Sequence, residues 1–269
     1  MTASKQEETP FPESEILSPY HSTIFILGSG GFAKELRAYY QTTFVHPVKV
    51  ILVDDNGGNI SMSEYYKYAL ADSSSSIMGS GKCDIKQKMI NQIKGRIDTF
   101  IHPRAIIIEA NIGEGSVIAP NSVIAPFAKI GRHVLVNYSS TIGHETIVGD
   151  LSVIGPQAAI GGNCLIKENV YIGAGALIKE GTTIGSNCVI GIGAVVLNDI
   201  QPDNIVIGNP GRAFHHVIWN KHIAKQISES ERQAVKNLFM VARIESGKCV
   251  RCNNIVLDGL TVCEKCMPA

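Results

Sequence analysis

Hydrophobic and polar positions follow three different rhythms along this chain. Near the start, Thr23-Ile-Phe-Ile-Leu27 and Val48-Lys-Val-Ile-Leu-Val53 are mostly apolar runs of strand length. Between them lies Gly28-Ser-Gly-Gly-Phe-Ala33, then a helix-forming stretch from Lys34 to Tyr40. A further helix is predicted over Asp84–Ile97. Strand, glycine-rich turn, helix, strand and the acids Asp54-Asp55 open a Rossmann-like α/β unit. There the glycines let a ligand approach a helix N-terminus, and an acid after the second strand bonds a ribose or base. The same pattern also makes a tight turn with no ligand. The unit spans about 75 residues, half a dinucleotide fold, and so suits one mononucleotide rather than NAD.

The second rhythm has period six. Every sixth residue from Phe100 to Val196 is large and apolar, and Pro202 ends the run. Glycine often comes next, as at 113, 131, 143, 155, 161 and 191. Four residues after each apolar position stands a small or β-branched side chain, such as Ser116, Thr146, Cys164, Cys188 or Ala194. Period six is not the helical 3.6 and is too regular for hairpins. It predicts a parallel β-helix of hexapeptides, three to a triangular coil of about 18 residues. The apolar residues point to the axis and stack, and glycine relaxes the turns. The general crossover rule would make the coil right-handed.

The third rhythm closes the chain. After Gly208-Asn-Pro-Gly211, Ser228 or Ser230 caps a predicted helix to about Ile244. Then Cys249-Val-Arg-Cys252 and Cys263-Glu-Lys-Cys266 flank a hairpin at 255–262 with an Asp-Gly turn. Two CxxC knuckles around a hairpin predict a closed, zinc-ribbon-like site in which all four thiolates hold a structural Zn2+, with two reversible disulfides as the alternative. Five parts are expected: a loose tail at 1–22, the α/β unit at 23–97, the β-helix at 98–200, a loop and C-terminal helix at 201–247, and the zinc tail at 248–269.

Composition sharpens this picture. Residues 101–200 hold 19 isoleucines and 14 glycines but only three aromatics, Phe127, Tyr138 and Tyr171, which suits a repeat and not a mixed core. Lys plus Arg equals Asp plus Glu at 24 each, which disfavours a nucleic-acid binder. No run is long and apolar enough to span a membrane. No export pattern opens the chain, so reduced thiols and a cytoplasmic location are expected. Cys164 and Cys188 read as β-helix filler, and Cys83 has no assigned role.

Candidate chemistry falls on the turns of the β-helix. His144 stands two residues after Ile142, pointing away from the axis, and Gly162 lies one coil along in the same column. A general base beside a backbone N–H suits acyl transfer, with the amide stabilising an oxyanion. A plain exposed turn histidine is the alternative. His133 and His144 are out of phase, against a shared metal.

The motifs IHPRA at 101–105, NYSSTIGHE at 137–145, IGGN at 160–163, IGAGA at 172–176, IGIGAVV at 190–196 and VIGNPGR at 206–212 follow FILGSGGFAKE and VDD. Together they resemble the NeuD/PglD family of sugar acetyltransferases. The resemblance implies a left-handed β-helix, a homotrimer, and acetyl-CoA in the groove between neighbouring prisms. It implies His144 as general base, Glu145 as its orienting partner and the Gly162 N–H as oxyanion donor. Asn137 is then near the acceptor, and Gly28, Gly30 and Asp54 bind its nucleotide. Ala174, Gly191 and Ala194 line the CoA path, with Arg212 near a CoA phosphate. Phe32 stands where amino-sugar members often carry histidine, and Val153 where many carry a second one. The expected activity is acetylation of a nucleotide-linked amino sugar. Alternatives are O-acetylation of sialic acid, or a non-catalytic sugar-nucleotide scaffold docking through the zinc tail.

Overall fold

The computed structural model describes residues 23–43, 48–71, 73–215, 244–245 and 248–249. The chain divides into two units, Met1–Phe214 and His215–Ala269. In the second, Ile244–Glu245 pairs antiparallel with Lys248–Cys249. Ile244 therefore sits in a strand, not at the end of a helix. The rest of the predicted C-terminal helix, together with Cys252, Cys263 and Cys266, lies outside the described residues.

The first unit opens with four parallel strands, β1 (Thr23–Leu27), β2 (Lys49–Val53), β3 (Ser74–Met78) and β4 (Arg96–Ile97), in the order β2-β1-β3-β4. Helix α1 (Gly31–Thr43) starts inside the glycine-rich turn, three residues earlier than predicted. Helix α2 (Met62–Tyr68) is absent from the sequence reading, although a capping box marks it: Glu64 N donates to Ser61 Oγ at 3.3 Å and Ser61 N to Glu64 Oε2 at 2.8 Å. Strand β3 is hidden in the sequence because it begins with three serines. All are buried, and two of the hydroxyls have partners: Ser74 donates to Ala71 O at 2.8 Å, and Ser76 to Lys94 O at 3.1 Å. The helix expected over Asp84–Ile97 is instead α3 (Cys83–Met89) followed by β4. Gly95 divides them: its φ is +71°, and a Cβ there would stand 1.9 Å from Ala69 O.

The β-helix is a triangular prism. Its first face carries Leu135–Val136 and Val153–Ile154, its second Thr141–Ile142 and Ala159–Ile160, its third Lys129–Ile130 and Ile147–Val148. Neighbouring strands pair in parallel one coil apart, and the inward Ile and Val residues form one continuous core. Ser116, Ser122, Ser140, Thr146, Ser152, Cys164 and Cys188 are buried as predicted.

Two details of the repeat differ from the sequence reading. The first is register. Phe100 pairs with Val117 and Ile106 with Val123, both outward positions, while Ile101 pairs with Ile118 and Ile107 with Ile124. Inward spacing is six residues from Ile101 to Ile107, five from Ile107 to Ile112, and six again from there. The core also continues past Val196 through Ile200 and Val206, after a four-residue step from 196 to 200. The second is the role of glycine. The left-handed position of each turn falls three residues after the inward one, at Phe127, Glu145, Asn163 and their equivalents. The glycine directly after the inward residue serves close approach of coils: a Cβ on Gly143 would lie 2.4 Å from Gly161 C, and one on Gly149 2.5 Å from Glu168 N.

The α/β unit covers the first face. Leu36 and Tyr40 of α1 pack with Phe100, Val117, Leu135 and Val153 in one apolar cluster. Phe100 is thus a docking residue for α1 and not part of the prism core.

Candidate active site

Each coil has three corners. Corner one joins the first face to the second and carries Asn137-Tyr138. Corner two joins the second to the third and carries His144-Glu145. Corner three leads back to the first face and carries Arg132-His133. In a triangle, corner two is the vertex opposite the face that the α/β unit covers.

At corner two, His144 Nδ1 lies 3.2 Å from Glu145 Oε2, and both side chains are exposed. Glu145 occupies the left-handed position, φ 59°, which turns its side chain back toward its neighbour. With Nδ1–H held by the carboxylate, Nε2 keeps its lone pair free for a proton. The ring lies over Gly162: a Cβ there would stand 2.5 Å from Nε2. Only glycine leaves room for the imidazole. Asn163 N donates to His144 O at 2.8 Å, and Gly181 N to Gly162 O at 2.9 Å. The Gly162 N–H makes no backbone hydrogen bond among the described residues. Base, orienting carboxylate and free amide therefore meet within one turn of the prism.

A second group of site residues gathers at the ends of β1 and β3. This is the switch point of the sheet, since β2 and β3 lie on opposite sides of β1. Gly28 has φ +111°. A Cβ on Gly30 or Gly31 would meet nothing within 4 Å, so the space above α1's N-terminus is open. That end presents free N–H groups and the positive end of the helix dipole, which suits a phosphate. Asp54 is engaged with the turn: its Oδ2 accepts from Ser29 N at 3.1 Å and Ser29 Oγ at 2.8 Å, and its Oδ1 from Asn56 N at 2.9 Å. Partial burial opposes its ionisation, but the bonds from Asn56 and Ser29 outweigh that and hold the carboxyl below its usual range. Asp54 thus shapes the turn itself. Asp55 caps α2 through Met62 N at 2.9 Å. The loop Gly79-Ser-Gly81, absent from the sequence reading, stands opposite: Gly79 N donates to Leu27 O at 2.8 Å, and a Cβ on Gly28 would lie 3.4 Å from Gly79 O. Its Gly-Ser-Gly repeats residues 28–30 and was the available signal.

The remaining positions spread along corner one. Asn137, Ala174 and Gly191 belong to that edge, Ala174 and Gly191 on successive turns and Asn137 two turns earlier than Ala174, and on it Ile192 is 80% exposed. Asn137 is separated from His144 of the same chain by the second face. At Ala194 the side chain is fully buried in the prism core, the N–H donates to Gly191 O at 3.2 Å, and the carbonyl accepts from Leu177 N at 2.9 Å. Arg212 opens the strand Arg212–His215 and is half-buried. Phe32 packs against the α1 cluster, and Val153 is buried under the α/β unit. The three prism histidines fall on three corners, His102 on the first, His144 on the second and His133 on the third. Among the described residues no group of His, Cys, Asp or Glu is arranged to hold a metal, and no helix is long and apolar enough to cross a membrane.

Comparison with known proteins agrees with the repeat. The family described as "Bacterial transferase hexapeptide (six repeats)" matches residues 109–144 and 145–180. No curated protein sequence matches the chain. Among solved structures, the acetyltransferase domain of PglB from Neisseria gonorrhoeae is similar over 72% of this chain and 100% of its own, with TM-score 0.64 and 27% identity. WeeI from Acinetobacter baumannii is similar over 71% of this chain and 99% of its own, with TM-score 0.62 and 26% identity. PerB from Caulobacter crescentus, solved with CoA and GDP-perosamine, shares the fold over 71% of this chain and 97% of its own, with TM-score 0.65 and 23% identity.

Proposed function

We propose that this chain, which carries the hexapeptide repeat and the fold of the NeuD/PglD-like sugar acetyltransferases, transfers acetyl from acetyl-CoA to the amine of a nucleotide-linked amino sugar. The observation that carries the proposal is the His144 ring, paired with Glu145 and seated on Gly162. Similar solved structures support the substrates: the PglB domain has been solved with acetyl-CoA, and PerB with CoA and GDP-perosamine.

The acceptor nitrogen attacks the thioester carbonyl carbon while His144 Nε2 takes its proton. Glu145 holds the ring and stabilises the imidazolium. Charge that builds on the carbonyl oxygen meets the Gly162 N–H. The tetrahedral adduct then expels CoA as a thiolate, which recovers the proton from His144.

A single copy holds its two half-sites on opposite sides of the prism: nucleotide unit on the first face, base at corner two. This supports a homotrimer in which the sugar held by one copy meets His144 of the next. Acetyl-CoA then lies in the groove between prisms, along Ala174 and Gly191, with Arg212 toward a phosphate. Gly28 and Gly30 receive the nucleotide diphosphate, and Asn137 the sugar. We place the reaction in the cytoplasm, where acetyl-CoA is supplied. The tail cysteines Cys249, Cys252, Cys263 and Cys266 are proposed to hold one structural Zn2+, and metal analysis should find one zinc per chain that is lost with the tail.

The test is an acceptor panel of UDP-linked amino sugars, GDP-linked amino sugars and free sialic acid, read as thiol release from acetyl-CoA. Turnover with a nucleotide amino sugar is expected. Turnover with sialic acid alone would favour O-acetylation. No acetyl-CoA binding by calorimetry would favour the scaffold.

A further inference from the structure

Helix α1 runs from the open turn at Gly30 to corner one of the prism, and on that route it carries a carboxylate with only one oxygen engaged among the described residues. Glu35 is half-buried, one turn past Gly31. Tyr39 donates its phenolic hydrogen to Glu35 Oε1. Glu35 Oε2 has no hydrogen bond or ion pair among the described residues.

The groups around it are fixed. Tyr39 stacks on Phe100 with centroids 6.0 Å apart and meets the edge of His102 at 5.5 Å. Burial, then the Glu35 carboxylate, pushes the Tyr39 phenol well above its usual range, so it remains a donor at neutral pH. Tyr138, exposed at corner one, lies within electrostatic reach of Tyr39 and adds to that effect. His102 Nδ1 accepts from Arg104 N at 3.1 Å, and burial, with Arg104 beside it, lowers the ring's proton affinity. It therefore stays neutral and does not neutralise Glu35.

We infer that Glu35, bonded by Tyr39, receives the acceptor's ammonium group and makes the site select an amine over a hydroxyl; the bound ammonium releases one proton to solvent before the nitrogen attacks, and His144 takes the next. A pre-oriented carboxylate beside the Tyr39 ring suits a small cation. A hydroxyl gains little from the carboxylate's charge. The placement fits the reach of the substrate. With a diphosphate at Gly30, Glu35 lies about 7 Å further along the helix axis. Corner one, where α1 arrives, is also where His144 of the next copy has to reach the same nitrogen. The inference rests on the proposed function and decides within it between N- and O-acetylation.

The test is calorimetry on the full chain, wild type and Glu35→Gln. Glutamine keeps the acceptor for Tyr39 and removes the charge. The probes are UDP- and GDP-linked amino sugars, each beside its counterpart with a hydroxyl in place of the amine. Wild type should bind one amine about tenfold to a hundredfold more tightly than its hydroxyl twin. Glu35→Gln, with unchanged melting temperature, should bring the pair to within about threefold. A preference that survives Glu35→Gln overturns the inference and leaves the acetyltransferase reading standing. Equal wild-type binding of amine and hydroxyl also overturns it. Wild-type protein that binds neither sugar overturns the nucleotide-sugar reading and this inference with it.

Discussion

At His144 the proposed chemistry depends on two contacts of one ring, Nδ1 on Glu145 and Nε2 over Gly162. Removing the ring in His144→Ala should lower kcat by about 10² to 10⁴ with the fold intact, measured as steady-state thiol release. Gly162→Ala keeps the amide but sets a methyl 2.5 Å from Nε2, so the ring has to move. A loss of about 10² is expected from that displacement alone, and full activity in this variant would contradict the seating of the base. Lys86 offers a separate test. It is buried at the junction with the prism, donates to Ser152 O at 3.3 Å, and desolvation lowers its pKa to about 8. The folded state therefore resists a proton that the unfolded state accepts. Stability is greatest above the unfolded pKa, falls as pH drops toward about 8, and is level below that. Lys86→Met should melt higher than wild type at pH 7, by an amount that shrinks toward pH 10.5. His144 and Gly162 were legible in the sequence because a fixed period places them one above the other. The engagement of Asp54 with Ser29 was not, since that contact spans 25 residues of unrelated spacing.

At the scale of elements, the prism is a stack in which each inward residue touches its counterparts one coil away. Ile154 is fully buried near the middle of that stack. Ile154→Ala should cost about 2–5 kcal/mol in denaturant unfolding, with no change of secondary structure by circular dichroism. Period six was readable over the middle coils because every hexapeptide there repeats one steric problem. The ends were not readable. Phe100 and Ile106 satisfy the apolar pattern from the outward side, Phe100 by docking α1 and Ile106 while exposed. Ile200 and Val206 follow a shortened coil that no fixed period contains. Strand β3 shows the same limit, because serines with hydroxyls bonded to nearby carbonyls are as buried as valines.

At the scale of the molecule, the two proposed half-sites of one chain face away from each other. Loop and base are both present, but a sugar on the first face cannot meet His144 across the prism. The proposed reaction therefore requires sites built between copies, and mixing two damaged chains tests this directly. His144→Ala removes the base. Gly30→Glu adds size and negative charge where a side chain meets no protein atom, and so blocks the anion site without straining the fold. Each variant alone should be trimeric and inactive toward the nucleotide-linked amino sugar. Unfolded and refolded together in equal amounts, they should recover roughly a quarter of wild-type turnover, the share of sites in a random ring that pair an intact loop with an intact base. A mixture that assembles into trimers and stays inactive, while wild type treated the same way recovers, would contradict the account.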